Sequence, residues 1–106
     1  MISFDDFKKM DLRIAEIKDV KEHPNADKLF VITLGTGEGE KQVVAGIKNF
    51  YKPDELKGKK VVAITNLESA TIRGVESTGM ILVAHDEDAL ILLAPEKDVK
   101  TGSKIS

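Results

Sequence analysis

The chain has 106 residues, and its 16 basic and 18 acidic side chains give a net charge of −2. This length provides one domain, and the charge balance argues against a protein that binds polyanions indiscriminately. The sequence contains no cysteine and no apolar run near the roughly 18 residues of a membrane span, so it predicts no disulfide, cysteine-ligated zinc site or transmembrane helix.

The N-terminal residues predict a short helix followed by a strand. Phe4, Phe7 and Met10 recur at helical spacing after a serine that can cap the first turn, so residues 4–9 are predicted to form an amphipathic helix. From residue 11, apolar and charged residues alternate as in a half-buried strand. The apolar positions then shift by one residue, which we interpret as a β-bulge near residues 15–16.

Several further strands follow. Residues 23–27 contain proline and asparagine and predict a turn. The apolar segments 29–34 and 42–47 flank a glycine-rich loop and predict a hairpin. A proline-initiated helical turn is predicted at residues 53–56. The remaining apolar runs have strand length and are residues 59–67, 79–84 and 89–94.

This pattern of at least five short strands and few helices predicts an all-β fold. It favours a five-stranded Greek-key barrel, the OB-fold, over about residues 11–84. The N-terminal helix and a C-terminal β extension at residues 85–106 are additions to the barrel. All residues from 1 to 106 are expected to form this single domain, with Gly46, Gly74 and Gly79 as candidate bends in the strands.

Recognisable catalytic patterns are absent from the sequence. The glycine-rich residues 35–39 lack the lysine and the helix of a phosphate-binding loop, and Ser77 has no plausible base partner. Residues 85–88, His-Asp-Glu-Asp, offer oxygen donors for a metal, although acidic loop residues are usually a solvated turn. His23 with Asp27 is similarly explained by turn chemistry. We therefore predict a protein without catalytic residues, metal or cofactor.

The charges are distributed unevenly along the chain. Residues 41–60 hold six lysines and two acidic residues, whereas residues 84–98 hold five acidic residues and one lysine. A nearly neutral total is therefore compatible with one basic and one acidic region.

Four motifs together resemble one known family. Residues 11–14 read DLRI, residues 23–29 read HPNADKL, residues 43–47 read VVAGI, and residues 58–80 contain GKKV, NL and RGVESTGM in that order. These motifs resemble the tRNA-binding domain found at the C-terminus of many methionyl-tRNA synthetases, in free-standing tRNA-binding proteins and in eukaryotic synthetase-complex cofactors. The resemblance extends over about residues 4–105.

The resemblance implies a cytoplasmic OB-fold module that binds tRNA through its structure more than its sequence. Such a module serves methionyl-tRNA synthetase as a domain or separate subunit, or acts as a free tRNA-binding protein, and has no catalytic activity of its own. RNA binding needs cations for phosphates, and amides and hydroxyls for base edges and 2′-OH groups.

The resemblance also implies the residues of the binding face. Asn66 would read a base edge, and Arg73 would contact a phosphate or stack. Ser77 would donate a hydroxyl hydrogen bond, and Met80 would pack on an unstacked base. The lysines that would add electrostatic attraction are Lys28, Lys48, Lys59 and Lys60. The alternative is a turn-capping asparagine, a methionine in the core and a solvated face of lysines.

A homodimer is a further expectation, because free-standing members of this family usually form one. Their N-terminal helix and C-terminal extension help to form the interface. The corresponding apolar residues are Phe4, Phe7, Met10, Leu90 and Leu92. The alternative is that these side chains pack against their own barrel.

The sequence departs from the family pattern after Asn66. Glu68-Ser69-Ala70-Thr71 stand where the family usually has a basic, proline-containing stretch, and Ala15 stands where a glycine is common. Fewer phosphate-facing cations weaken polyanion binding, so we expect tRNA affinity of about micromolar strength. Two rival functions are a chaperone-like or protein-interaction barrel and a barrel that binds a small ligand or oligosaccharide.

Overall fold

Nine strands and two short helices make up the structure, a computed structural model that describes residues 1–106. The helices are α1 (Phe4–Lys8) and α2 (Pro53–Leu56). The strands are β1 (Leu12–Glu22), β2 (Phe30–Gly35), β3 (Glu40–Ala45), β4 (Lys60–Ile64), β5 (Ala70–Ile72), β6 (Val75–Ser77), β7 (Met80–Ile81), β8 (Val83–Asp86) and β9 (Ala89–Leu92). The chain is therefore mostly β, as predicted.

Five antiparallel strands form the main sheet, in the order β3-β2-β1-β4-β7. The long strand β1 pairs with β4 through residues 12–16 and with β2 through residues 16–22. The free edge of β3 then meets the residues just before β7, where the backbone N–H of Thr78 donates to the carbonyl of Gln42 at 2.8 Å. This contact nearly closes the sheet into a barrel and confirms the predicted OB-like fold class.

The barrel interior is filled by a cluster of twelve buried apolar side chains. Phe30 is the only aromatic ring that is fully buried, and β-branched and leucine side chains supply most of the rest. Leu56 on α2 has no exposed surface and packs with this cluster, so the helical turn between β3 and β4 covers part of the core. Full burial of such a side chain contributes roughly 1.5–3 kcal/mol.

The position of the predicted β-bulge is corrected by the structure. The irregularity in β1 lies between Ile17 and Asp19, not near residues 15–16, where β1 pairs regularly with β4. In the sequence, the apolar positions change from even to odd numbers before this irregularity. They do so because Ile14 and Ala15 are both buried, although only Ala15 belongs to the core cluster. Burial on both faces of the strand therefore looks in the sequence like a bulge.

Two features of the second half differ from the strand prediction. Residues 79–84 are not one strand, because β7 ends at Ile81 and β8 begins at Val83 to form a separate hairpin with β9. The hairpin of β5 and β6 was not predicted at all. Its strands have three residues each and expose most of their side chains, so they lack the apolar alternation that reveals a strand.

Both termini pack near the beginning of β1. Helix α1 is capped by Ser3, whose Oγ accepts from the backbone N–H of Asp6 at 3.1 Å. At the other end of the chain, residues 102–105 run along β1 and form three backbone hydrogen bonds with Leu12 and Ile14, of 2.8–2.9 Å. The additions to the barrel are therefore tied to the same strand.

Candidate nucleic-acid interface

The turn after β1 is joined to the hairpin of β5 and β6 by a buried histidine. His23 is only 5% exposed, and its Nε2 lies 2.9 Å from the carbonyl oxygen of Ile72. Its Nδ1 accepts a hydrogen bond from the backbone N–H of Asn25, also at 2.9 Å. Since a carbonyl can only accept and an amide N–H can only donate, this pattern requires the tautomer with its proton on Nε2. The ring thus shapes the turn and connects it to the hairpin.

A second connection is reciprocal and involves Arg73 at the tip of the hairpin. The Asn25 side chain donates to the carbonyl of Arg73, and the Arg73 guanidinium donates to the carbonyl of Asn25, both at 3.1 Å. Arg73 and Gly74 have φ values of 52° and 90°, as a type I′ hairpin turn requires. Left-handed backbone costs a residue with a side chain roughly 1–2 kcal/mol. Arg73 therefore occupies a conformation that its surroundings must hold in place.

These contacts form what we call the clasp: His23, Asn25, Ile72 and Arg73. Beside it lies the largest groove on the surface, about 390 Å³, lined by Ala26, Asp27, Lys28, Leu29 and Arg73. Neither Lys28 nor Arg73 forms an ion pair with an acidic side chain. Arg73 uses one hydrogen bond on Asn25, so several of its five N–H donors are free. The clasp and the groove together therefore present two cations, Arg73 and Lys28, and the carboxylate of Asp27 at the loops that an OB-fold uses to bind nucleic acid.

Ser77, a predicted contact residue, is buried at the seam that closes the barrel. Its Oγ accepts from the backbone N–H of Val44 at 3.0 Å and donates to the carbonyl of Gly79 at 3.2 Å. Gly79 is needed here, because a Cβ would lie 2.9 Å from the carbonyl oxygen of Ile64. The structure therefore gives Ser77 a role in joining β3 to the opposite edge, while its contact with tRNA stays a prediction.

Asn66 binds the segment that links α1 to β1. Its Oδ1 accepts from the backbone N–H of Asp11 at 2.8 Å, and its Nδ2 donates to the carbonyl of Lys9 at 2.7 Å. The Asp11 carboxylate accepts from the Thr65 hydroxyl at 2.6 Å and from Nε of Arg13 at 2.7 Å. The Thr65 hydrogen bond, followed by that of Arg13, lowers the pKa of Asp11 below its ordinary value of 3.8. Asn66 is exposed but already hydrogen-bonded, so its reading of a base also stays a prediction.

The four predicted lysines do not lie together. Lys28 lies in the groove beside Arg73, whereas Lys48 forms an ion pair with Glu22 at 2.7 Å. The hydrogen bond from Lys48 lowers the pKa of the Glu22 carboxyl. Lys60 is paired with Asp98 at 2.8 Å, and Lys59 precedes it at the start of β4, the end of that strand remote from the hairpin. Of the four lysines, Lys28 therefore lines the groove beside the clasp, whereas Lys48 is neutralised by Glu22, the residue that precedes His23.

Met80 is accessible, although residue type and context alone favour a core position. Its side chain is 46% exposed at the start of β7, which agrees with the surface position that the resemblance implies. Leu67 and Glu68 are exposed on the segment that leads from β4 into the hairpin. Sequence reasoning assigned neither Leu67 nor Asn25 to the site. Asn25 was signalled only by its place in the HPNADKL motif, and Leu67 by its place beside Asn66.

The residues predicted for a dimer interface are divided between buried and exposed positions. Leu90 and Leu92 are partly buried and pack against the core of their own barrel. The apolar side chains that β9 and the next residue expose are instead Ile91 and Leu93. At the N-terminus, Phe4 is 72% exposed beside an apolar pocket that Phe7, Met10 and Ile105 also line.

No group of three or more His, Cys, Asp or Glu side chains is arranged to hold a metal ion. Of the exposed residues 85–88, His85 and Asp86 end β8, and residues 87–88 form the turn into β9. Neither helix has the length or apolar character to cross a membrane.

Comparison with known proteins identifies relatives over almost the whole chain. The family model described as "Putative tRNA binding domain" matches residues 12–104. Methionine–tRNA ligase of Thermococcus kodakarensis is 51% identical over 104 residues, which is 98% of this chain and 14% of that protein. Methionine–tRNA ligase of Nanoarchaeum equitans is 46% identical over 105 residues, or 99% of this chain and 14% of that protein. The chain thus spans about 14% of the length of these curated relatives.

Solved structures match the fold over its full length. A MetRS-related protein from Pyrococcus horikoshii superimposes with a TM-score of 0.91 and 29% identity, covering 100% of this chain and 98% of that one. The CsaA chaperone protein from Picrophilus torridus gives a TM-score of 0.92 and 35% identity, covering 100% of both chains.

Proposed function

This chain is a member of the tRNA-binding domain family, and we propose that it binds tRNA through the clasp and the adjoining groove. The observation that carries this proposal is the placement of Arg73 and Lys28, two cations without acidic partners, on loops that OB-folds use for nucleic acid. The exposed Met80 adds an apolar surface on which an unstacked base can pack. The other predicted contact residues are secondary candidates: Lys48, Lys59, Lys60, Asn66 and Ser77. Lys48 and Lys60 are in ion pairs, and Asn66 is hydrogen-bonded to Asp11. Lys59 lies at the end of β4 remote from the hairpin, and Ser77 is buried.

The biological role we propose is that of a non-catalytic module that serves methionyl-tRNA synthetase, as part of it or as an associated subunit. The identity of 46–51% with methionine–tRNA ligases supports this role. The matching family model, described as a tRNA binding domain over residues 12–104, favours tRNA over a protein substrate.

We further propose that the chain forms a homodimer. Exposed apolar side chains at both additions to the barrel support it, namely Phe4 at the N-terminus and Ile91 and Leu93 after β8. Exposed apolar patches on small proteins commonly mark association surfaces. The interface would then use Ile91 and Leu93 in place of the predicted Leu90 and Leu92, which are packed inward.

Binding of a mixed tRNA pool over a series of salt concentrations tests the tRNA proposal. We expect affinity of about micromolar strength that falls as salt rises. The substitutions Arg73→Ala and Lys28→Ala should each reduce the slope of log K against log salt by about 0.7–0.9 and weaken all tRNAs similarly. Lys97→Ala removes the same charge from the acidic C-terminal region and serves as the control.

Two outcomes would contradict the proposal. The first is a wild-type protein that does not bind tRNA at low salt, or binds it equally at all salt concentrations. The second is an equal loss of affinity in the Lys28→Ala and Lys97→Ala variants, because position on the surface would then be irrelevant.

A further inference from the structure

The clasp connects two segments that are distant in the chain. The turn at residues 23–27 and the tip of the β5–β6 hairpin are separated by about fifty residues, yet three side chain–backbone hydrogen bonds of 2.9–3.1 Å join them. Each of these bonds has one partner in the turn and the other at Ile72 or Arg73. The hairpin itself is short, with three paired residues in each strand. A hairpin of that size is at best marginally stable without support from its surroundings.

Arg73 depends on this support more than its neighbours do. Its φ of 52° belongs to the left-handed region, which glycine and asparagine adopt readily and arginine does not. Such conformations persist where surrounding contacts over-determine them, and they cluster at functional sites. Here the contacts are the Asn25 amide on the Arg73 carbonyl and the His23 ring on the preceding carbonyl, that of Ile72. Both hydrogen bonds hold the backbone that carries the Arg73 guanidinium.

We propose that His23 and Asn25 are positioning residues that hold Arg73 in the conformation that contacts tRNA. This inference rests on the proposed function, and it adds that the turn and the hairpin tip act as one preorganised element. Neither residue needs to touch RNA for this purpose. Fixing a flexible side chain before binding removes part of the ordering cost that binding otherwise incurs.

Asn25 provides the cleanest test, because it is exposed and its replacement leaves the core intact. We expect Asn25→Ala to weaken tRNA binding about 3- to 10-fold, the effect of ordering one long side chain on binding. In a chain that already carries Arg73→Ala, the same substitution should change affinity less than twofold. Asn49→Ala replaces another exposed asparagine that makes no hydrogen bond in the structure, and it should leave affinity unchanged in both backgrounds.

The two nitrogens of His23 can be separated by substitution. Asparagine can keep the acceptor for the Asn25 N–H, as in an Asx-turn, but it is too short to reach Ile72. Glutamine is long enough to donate to the Ile72 carbonyl, but it lacks the acceptor at the Nδ1 position. Of the two hydrogen bonds of His23, the one from Nε2 to the Ile72 carbonyl joins the turn to the hairpin, and the other lies within the turn. His23→Gln, which keeps the first, should therefore retain more tRNA affinity than His23→Asn.

The outcomes distinguish this inference from the proposed function. If the wild type binds tRNA and Arg73→Ala weakens it, but Asn25→Ala has the same effect in both backgrounds, the positioning role is wrong and the tRNA site stands. Equal affinities for the two His23 variants, with both folded by circular dichroism, would also contradict it. A wild type that does not bind tRNA would remove both proposals.

Discussion

Among single residues, hydrogen-bonding capacity separates the predicted contacts into two groups. Ser77 and Asn66 already use their polar atoms inside the protein, on Val44 and Gly79 and on Asp11 and Lys9. Arg73 and Lys28, by contrast, keep free donors next to a groove. The sequence motif identifies all of these residues as belonging together, but only the contacts indicate which of them remain available to a ligand.

Glu68 permits a test of charge at the binding loops. It is exposed, forms no ion pair and stands where the resemblance to the tRNA-binding domain implies a basic stretch. We expect Glu68→Lys to strengthen tRNA binding and to steepen its salt dependence, because the variant loses a repulsive charge and gains a cation. Glu96→Lys makes the same change in the C-terminal region, and filter binding should show a smaller gain. An equal gain in both variants would indicate an effect of net charge alone.

Asp11 should make a measurable contribution to acid stability. Hydrogen bonds from Thr65 and then Arg13 lower its pKa in the folded protein, so the folded state favours the charged carboxylate. This contribution is fully present above the unfolded value near 3.8 and is lost as the pH falls through the lower folded pKa.

The Asp11→Asn variant should therefore lose less stability than the wild type when urea unfolding is compared at pH 6 and pH 3. Asp5→Asn is the control, since Asp5 is exposed and forms no hydrogen bond or ion pair through its side chain. If the unfolding free energies of the wild type and Asp11→Asn changed equally between pH 6 and pH 3, Asp11 would make no such contribution to acid stability.

At the scale of elements, the β5–β6 hairpin has two functions. Its tip carries Arg73 into the clasp, and its second strand ends at Ser77 in the barrel seam. The side chain of Gln42 on β3 donates to the carbonyl of Glu76 at 2.8 Å, which adds to the same connection. The proposed binding surface is thus attached directly to the contacts that close the barrel.

The substitution Ser77→Ala tests whether the Ser77 hydroxyl stabilises the closure of the barrel. It removes the acceptor of the Val44 N–H, and a buried donor left without a partner costs about 1–3 kcal/mol of unfolding free energy. Urea denaturation should show this loss, whereas Ser69→Ala, on an exposed loop, should change stability by no more than about 0.5 kcal/mol. If Ser77→Ala instead lowered tRNA affinity at unchanged stability, the direct RNA contact would be favoured over the seam.

For the molecule as a whole, the distribution of charge and apolar surface matters more than the totals. Of the sixteen cations, six appear in ion pairs, and two of these, Lys48 and Lys60, are predicted site residues. Ten cations have no ion pair, and of these Lys28 and Arg73 line the groove beside the clasp. Modest, salt-sensitive tRNA binding stays a prediction.

The proposed dimer is tested by replacing exposed leucines on different parts of the surface. Sedimentation at micromolar concentration should give the wild type a mass of about twice 11.6 kDa. Leu93→Asp should weaken association because it places a charge in an apolar contact, whereas Leu67→Asp, at an exposed leucine between β4 and β5, should not. A wild type that sediments as one 11.6-kDa species would contradict the dimer.

The sequence by itself determined the fold class, most strand positions and the family. Apolar alternation, glycine-rich turns and four ordered motifs are local signals, and each can be read within a few residues. It placed the bulge of β1 wrongly and missed the β5–β6 hairpin, because double-sided burial and short exposed strands do not give the expected alternation.

Only the tertiary structure decided which residues of the motifs work together. The pairing of His23 with Ile72 and of Asn25 with Arg73 joins residues 49 and 48 positions apart, respectively, and closure of the barrel brings Ser77 to Val44. Hydrogen bonds over such separations depend on how the strands pair, which residue type and spacing do not specify. For this physical reason, the sequence predicted a tRNA-binding face but not the division between the residues that build it and those left free to bind.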